Sequence, residues 1–115
     1  MRTRLAILFL LLISACVCAE EQAEKQKIEK LIAGIENLAD AKFVRNGTEY
    51  DAKSAGTFLR AKWSKAADIK TARDFIEKAA TKSSTSGEAY VIRFKDGNEK
   101  KCGDYLGEQL KRLEQ

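Results

Sequence analysis

The chain has 115 residues, no histidine and no proline, and 21 basic against 17 acidic residues, for a formal net charge of +4. With 44% hydrophobic and 33% charged residues it has the make-up of one small globular domain rather than of a disordered tail. The absent histidine removes the commonest general base and metal ligand, three cysteines fall short of a four-cysteine zinc site, and no glycine-rich phosphate loop occurs, so metal and nucleotide chemistry are not expected and no cofactor is assigned.

Residues 1–19 read as a secretory signal peptide. Arg2 and Arg4 supply a positive start, and Leu5 to Ile13 form an apolar run too short to span a bilayer, which takes about 20 residues. Small uncharged residues follow, and the chain turns polar at Glu20. Two processing routes are open. Val17-Cys18-Ala19 suits cleavage before Glu20, giving a soluble exported product and leaving Cys102 as a lone thiol in an oxidising compartment. Ile13-Ser14-Ala15-Cys16 instead resembles a lipobox, in which lipidation of Cys16 holds the protein on a membrane and Cys18 also survives, as one available partner for Cys102.

Residues 20–115 are expected to be a single exported α+β domain of about four helices packed with a small antiparallel sheet made of short hairpins. Glu20 to Lys27 is polar, a frayed first turn or a short leader. Ile28, Leu31, Ile32, Ile35, Leu38 and Ala39 then recur at helical spacing and predict a helix over about 24–40 with one core-facing stripe. Asn46-Gly47, flanked by Phe43-Val44-Arg45 and Thr48-Glu49-Tyr50, predicts a hairpin with a type I′ turn, which needs positive φ at both central residues.

From Asp51 the pattern is helical again. Ala55, Leu59, Trp63 and Ala66 share one face, with Phe58 beside them, while Lys53, Arg60, Lys62 and Lys65 are assigned to a solvated opposite face. Gly56 in this run suggests close approach to a neighbouring element. Thr71-Ala-Arg-Asp74 reads as a capping box opening a helix over 72–82, with Asp74 and Lys78 as an i,i+4 ion pair. The hydroxyl-rich segment 83–87 ends it. Tyr90 to Phe94 is the clearest strand, with Tyr90, Ile92 and Phe94 on one side. Asp96-Gly97-Asn98 turns the chain into a short return strand at 99–101, and a last helix over about 103–113 is expected to bury Leu106, Leu110 and Leu113, with Tyr105 at its flank.

These blocks, taken in order, resemble a known family. Phe43-Val-Arg-Asn-Gly47, Phe58-Leu-Arg-Ala-Lys62, Ile69-Lys-Thr-Ala-Arg-Asp-Phe-Ile76, Ser83-Ser-Thr-Ser-Gly87, Tyr90-Val-Ile-Arg-Phe94 and Asp104-Tyr-Leu106 are similar to the YfeK-like proteins, small exported bacterial proteins with a domain of unknown function, over residues 28–113. The resemblance implies the periplasm of Gram-negative bacteria and a soluble product. It brings no activity, substrate or catalytic residue. Relatives often place a cysteine before the Phe of the first block; here Ala41 and Lys42 stand there, so a disulfide made at that place is not expected.

No catalytic set stands out. Ser83, Ser84, Thr85 and Ser86 offer hydroxyls beside Lys82, but nothing in sequence orients a nucleophile and a base, and capping of backbone groups accounts for them. Cys102 lacks a histidine or a second cysteine in a redox spacing; only Lys100 and Lys101 could activate it. Asp74 with Glu77 and Asp104 with Glu108 read as solvent carboxylates. From Arg45 to Lys82 nine basic residues face five acidic ones, a surplus suited to an anionic envelope partner. Export argues against nucleic acid, and a membrane enters only through Cys16. The candidate recognition surface is Arg45, Tyr50, Ser83, Ser84, Thr85, Ser86, Gly87 and Tyr90. The expected function is a non-catalytic envelope binding module; the alternative is a small serine-dependent hydrolase or an enzyme inhibitor using Ser83–Ser86.

Overall fold

The computed structural model describes the backbone from Arg2 to Gln115 and the side chains from Ala19 onward. The signal-peptide reading of 1–19 and the lipidation of Cys16 lie outside the residues whose side chains are described. Among the described residues no helix is long and apolar enough to cross a membrane.

The architecture is α+β: four helices on one face of a four-stranded antiparallel sheet. The order is α1 (Arg2–Glu36), β1 (Lys42–Arg45), β2 (Thr48–Asp51), α2 (Ala52–Lys65), α3 (Ala72–Phe75), β3 (Val91–Arg93), β4 (Glu99–Lys101) and α4 (Cys102–Leu113). The expected hairpins are both present, and pairing of β1 with β3 joins them into one sheet of strand order β2-β1-β3-β4. Phe43 stands opposite both Tyr50 and Ile92, so the inward face of the three strands is set by one row of pairs. The outward face carries Lys42, Glu49, Arg93 and Glu99, where Arg93 bonds both Glu49 and Glu99.

Each helix supplies a stripe to one core. Ile28, Leu31, Ile32 and Ile35 of α1, Ala55 and Leu59 of α2, Ala72 and Phe75 of α3, and Leu106 and Leu110 of α4 are buried with Phe43, Tyr90 and Ile92 of the sheet segments. Truncating a fully buried side chain such as Leu59 to alanine costs about 2–5 kcal/mol. The polar segment before Ile28 is helical too, and it is used: Glu24 accepts from the amide of Ala72 at 3.0 Å and so satisfies the start of α3.

Five expectations need correction. The first helix ends at Glu36 rather than near 40: the Leu38 amide closes a tighter turn on the Ile35 carbonyl, and Asp40 then takes the left-handed region (φ 57°); Leu38 is only half-buried and Ala39 is exposed. The helix expected over 72–82 is one α turn followed by a π turn, Ile76–Ala80, whose first carbonyl also accepts from the Thr81 hydroxyl. Lys78 pairs with Asp68 (3.0 Å), not Asp74, whose carboxylate instead accepts from the Lys70 and Thr71 amides. Leu113, at the fraying end of α4, is 38% exposed instead of buried. The basic face of α2 is not merely solvated: Arg60 bonds Glu29 and Glu36 of α1, and Lys62 turns toward the sheet.

Candidate functional site

The sheet, α2 and the loop after the π turn meet at a cleft of about 340 Å³. Its construction starts at the β1–β2 turn. Asn46 (φ 51°) and Gly47 (φ 77°) take the positive φ values that the turn demands. Period-two alternation then puts Arg45 on the same side of β1 as Phe43, facing the helices. There the Arg45 guanidinium lies over the Phe58 ring, 4.1 Å from its centroid. Its Nε is buried without a hydrogen-bond partner.

Aromatic rings form the base beneath it. Tyr90 is 1% exposed and meets Phe43 at 5.2 Å and Phe58 edge-on at 5.5 Å between centroids. Its hydroxyl reaches the cleft, where Lys62 Nζ donates to it at 3.0 Å and to the Lys82 carbonyl at 3.3 Å. Lys65, one turn on from Lys62, and Lys78 of the π turn complete the basic wall. Hydrogen bonding to the Asp68 carboxylate holds the Lys78 ammonium above the ordinary lysine range, so that charge is already answered. Among the described residues Arg45, Lys62 and Lys65 have no carboxylate within ion-pair distance, and no acidic residue lines this cleft.

The opposite wall is the hydroxyl segment. Ser83 is 3% exposed, a buried polar residue whose Oγ accepts from the amides of Thr85 (3.3 Å) and Ser86 (3.4 Å) and from Asn46 Nδ2 (3.3 Å), and lies 3.0 Å from Thr85 Oγ1. Ser86 Oγ in turn donates to Asn46 Oδ1. Asn46 thus has a second role that its turn position alone does not reveal: it ties the hairpin to the loop. Gly87 (φ 74°) closes that loop, its amide donating to the Ser83 carbonyl at 3.0 Å.

Of the residues singled out by sequence, Arg45, Ser83, Ser84, Thr85 and Tyr90 line this one cleft. Ser86 and Gly87 stand behind it and shape the loop. Tyr50 lines an adjoining groove of about 490 Å³ with Asp51, Lys53, Ser54, Thr57 and Ala61; Arg45 and Phe58 belong to both. Sequence reasoning placed Lys62, Lys65 and Phe58 on α2 without connecting them to the site. The signal for that connection is their shared three- and four-residue spacing on the helix stripe next to the hairpin.

Two hydroxyls of the loop are already committed. The Ser83 oxygen is occupied as an acceptor and buried, and Ser86 Oγ is committed to Asn46, so neither is placed as a nucleophile. Burial pushes the Cys102 thiol up to about 12, the reverse of activation by Lys100 or Lys101, and Cys102 is fully enclosed in the core. Among the described residues there is no cluster of side chains able to hold a metal ion. Residues 22–114 match a family described as a family of unknown function, DUF5329. No curated protein and no solved structure matches the chain.

Proposed function

We propose, for a chain that belongs to the DUF5329 family and so inherits no described activity, an exported envelope protein that works as a binding module and receives an anionic group of its partner between Arg45, Lys62 and Lys65. One observation carries this reading: three cations without carboxylate partners converge on a cleft whose lining holds no acid. Other cations, such as Lys25, Arg73 and Lys111, also lack an ion pair among the described residues, so it is the convergence on one acid-free lining that sets these three apart. Like charges gathered without a counter-charge repel one another, and a bound anion removes that repulsion. Exposed Ser84 and Thr85 add hydroxyl donors on the facing wall.

Export rests on the positive start, short apolar run and small-residue segment of 1–19 and on the similarity to the YfeK-like proteins, which favours the periplasm of Gram-negative bacteria. The soluble and Cys16-lipidated forms differ in mass, so intact mass of the protein from its host separates them. A chain that retains Met1 to Ala19 in the cytosol overturns the envelope reading.

The binding reading is tested by titrating the folded domain with inorganic phosphate and with a uronate monosaccharide, followed by backbone amide NMR. Saturable shifts are expected at Ser84, Thr85, Lys62 and Lys65, and Lys62→Ala with Lys65→Ala should abolish them. Arg93→Ala, on the outward face of the sheet, should leave them intact. Equal loss in the Arg93 variant, or no saturable shift with either anion, refutes the anion cleft.

A further inference from the structure

Resting on that binding reading, we infer that the cleft and the adjoining groove form one continuous track for a linear acidic glycan, a chain of sugars bearing repeated carboxylate or other anionic groups. The two depressions share Arg45 and Phe58 and follow a single stripe of α2, with Ser54, Phe58, Lys62 and Lys65 at helical spacing. Lys53 at one end and Lys65 at the other are 12 residues apart in α2, about 18 Å along the helix axis. That length exceeds any single anionic group and suits a chain that lies along the helix.

Charge is distributed over the whole track. Lys53, Arg45, Lys62 and Lys65 succeed one another, and among the described residues none has a carboxylate of the chain within ion-pair distance. Asp51 is the one acid of the adjoining groove, and its Oδ1 accepts from the Ser54 amide at 2.8 Å as the N-cap of α2, so its charge is directed at the helix start.

Apart from Lys78, which Asp68 answers, the remaining polar groups on the track are mostly hydroxyls: Ser84 and Thr85 in the cleft, Ser54, Thr57 and Tyr50 in the groove. A hydroxyl both donates and accepts, which complements sugar hydroxyls that do the same. Cations interspersed with hydroxyls therefore favour an acidic glycan, which carries donor-acceptor hydroxyls on every unit, over an acidic peptide, whose side chains offer acceptors alone and whose donors are confined to the backbone.

The test is a calorimetric length series of uronate oligosaccharides, from the monomer to a chain long enough to cover both depressions. Alongside it run oligo-glutamate of matched charge and a neutral glycan of matched length. Occupying the second depression should raise affinity by about tenfold or more over the monomer. Lys53→Glu, at an exposed position, should bring the long chain back to the affinity of the monomer, while Arg93→Ala keeps the gain. A monomer that binds with no gain on lengthening overturns the track and leaves the anion cleft standing. Oligo-glutamate binding as tightly as the uronate chain overturns the glycan assignment, as does a neutral glycan binding equally well. Absence of binding by every anion overturns both this inference and the reading beneath it.

Discussion

Asn46 and Ser83, 37 residues apart in sequence, are joined side chain to side chain at 3.3 Å. The bond crosses from the tip of the β1–β2 turn to the start of the hydroxyl loop, and Asn46 Oδ1 accepts from the Ser86 hydroxyl at the same position. A residue chosen for its tolerance of positive φ thereby also fixes one wall of the cleft.

The two roles separate by substitution. Asn46→Gly keeps the left-handed conformation and drops both side-chain bonds. Global stability should fall by less than about 1 kcal/mol, since the lost bonds are partly solvated. Hydrogen exchange at the Thr85 and Ser86 amides should nevertheless accelerate, because their shared acceptor, Ser83 Oγ, loses the donor that anchors it. Asn46→Ala should cost about 1–2 kcal/mol more than Asn46→Gly through the Cβ clash at positive φ. Equal stability of the two variants with unchanged exchange in the loop contradicts this assignment.

Acid should unfold the domain through its helix caps. The Lys70 backbone amide, donating at 3.1 Å, holds the Asp74 carboxyl below its ordinary value of 3.8, against an opposing burial effect, and the Thr71 amide adds to the lowering. The Ser54 amide does the same to Asp51. A carboxylate whose pKa is depressed by folding contributes stability above its unfolded pKa and loses it as pH falls through the folded value. Thermal midpoints should therefore hold near neutrality and drop as pH falls below about 4. Asp74→Asn should flatten that acid limb, and Thr71→Ala should cost about 1 kcal/mol across the range. An acid limb unaltered by Asp74→Asn assigns the sensitivity to other groups.

Local chemistry made some elements readable in the sequence, and others depended on distant contacts. The Asn46-Gly47 turn and the Thr71–Asp74 capping box are written in adjacent residues, and both are present. Arg45 and Ser83–Thr85 were legible as candidates because surplus charge and clustered hydroxyls are local features. The pairing of Phe43 with Ile92 that unites the two hairpins spans almost half the chain and leaves no local mark. The π turn over Ile76–Ala80 is made of ordinary helix formers, and the Thr81 hydroxyl on the Ile76 carbonyl accompanies the wider turn. Lys62 looked like a solvent residue by helical phase alone; the half-buried Phe58 and the Tyr90 hydroxyl, brought in by tertiary packing, turn its ammonium inward.

Cys102 should behave as a core side chain. Burial raises its thiol from an ordinary 9.0 to about 12, so native protein at neutral pH should resist alkylation until the domain opens. A thiol with a raised folded pKa contributes fully below the unfolded value of 9.0, and its contribution is lost as pH climbs toward 12. Cys102→Ala should reduce that alkaline loss, whereas Cys102→Ser, which places a hydroxyl in an apolar enclosure, should cost about 1–3 kcal/mol. Rapid alkylation of the folded protein would contradict the enclosure.

Gly56 and Glu36 offer a test of packing that reverses sign with context. Gly56 is a buried position in α2, and a Cβ built there would overlap the Cγ and carboxylate of Glu36 at the end of α1. Glu36 is not free to swing away cheaply, because Arg60 Nη2 donates to its Oε1 at 3.1 Å. Helix propensity alone makes Gly→Ala favourable by about 1 kcal/mol. Displacing Glu36 should cost about 1 kcal/mol in rotamer strain and up to about 1 kcal/mol in the lost ion pair. Gly56→Ala should thus be neutral to destabilising by about 1 kcal/mol in the native background. With Glu36→Ala already in place the obstruction is gone, and the same Gly56→Ala change should stabilise by about 1 kcal/mol. Gly107 in α4 faces open space, and Gly107→Ala should stabilise in either background. A denaturant double-mutant cycle reads the coupling directly. If Gly56→Ala stabilises equally with and without Glu36, the close approach of α1 and α2 at this point is not what restricts position 56.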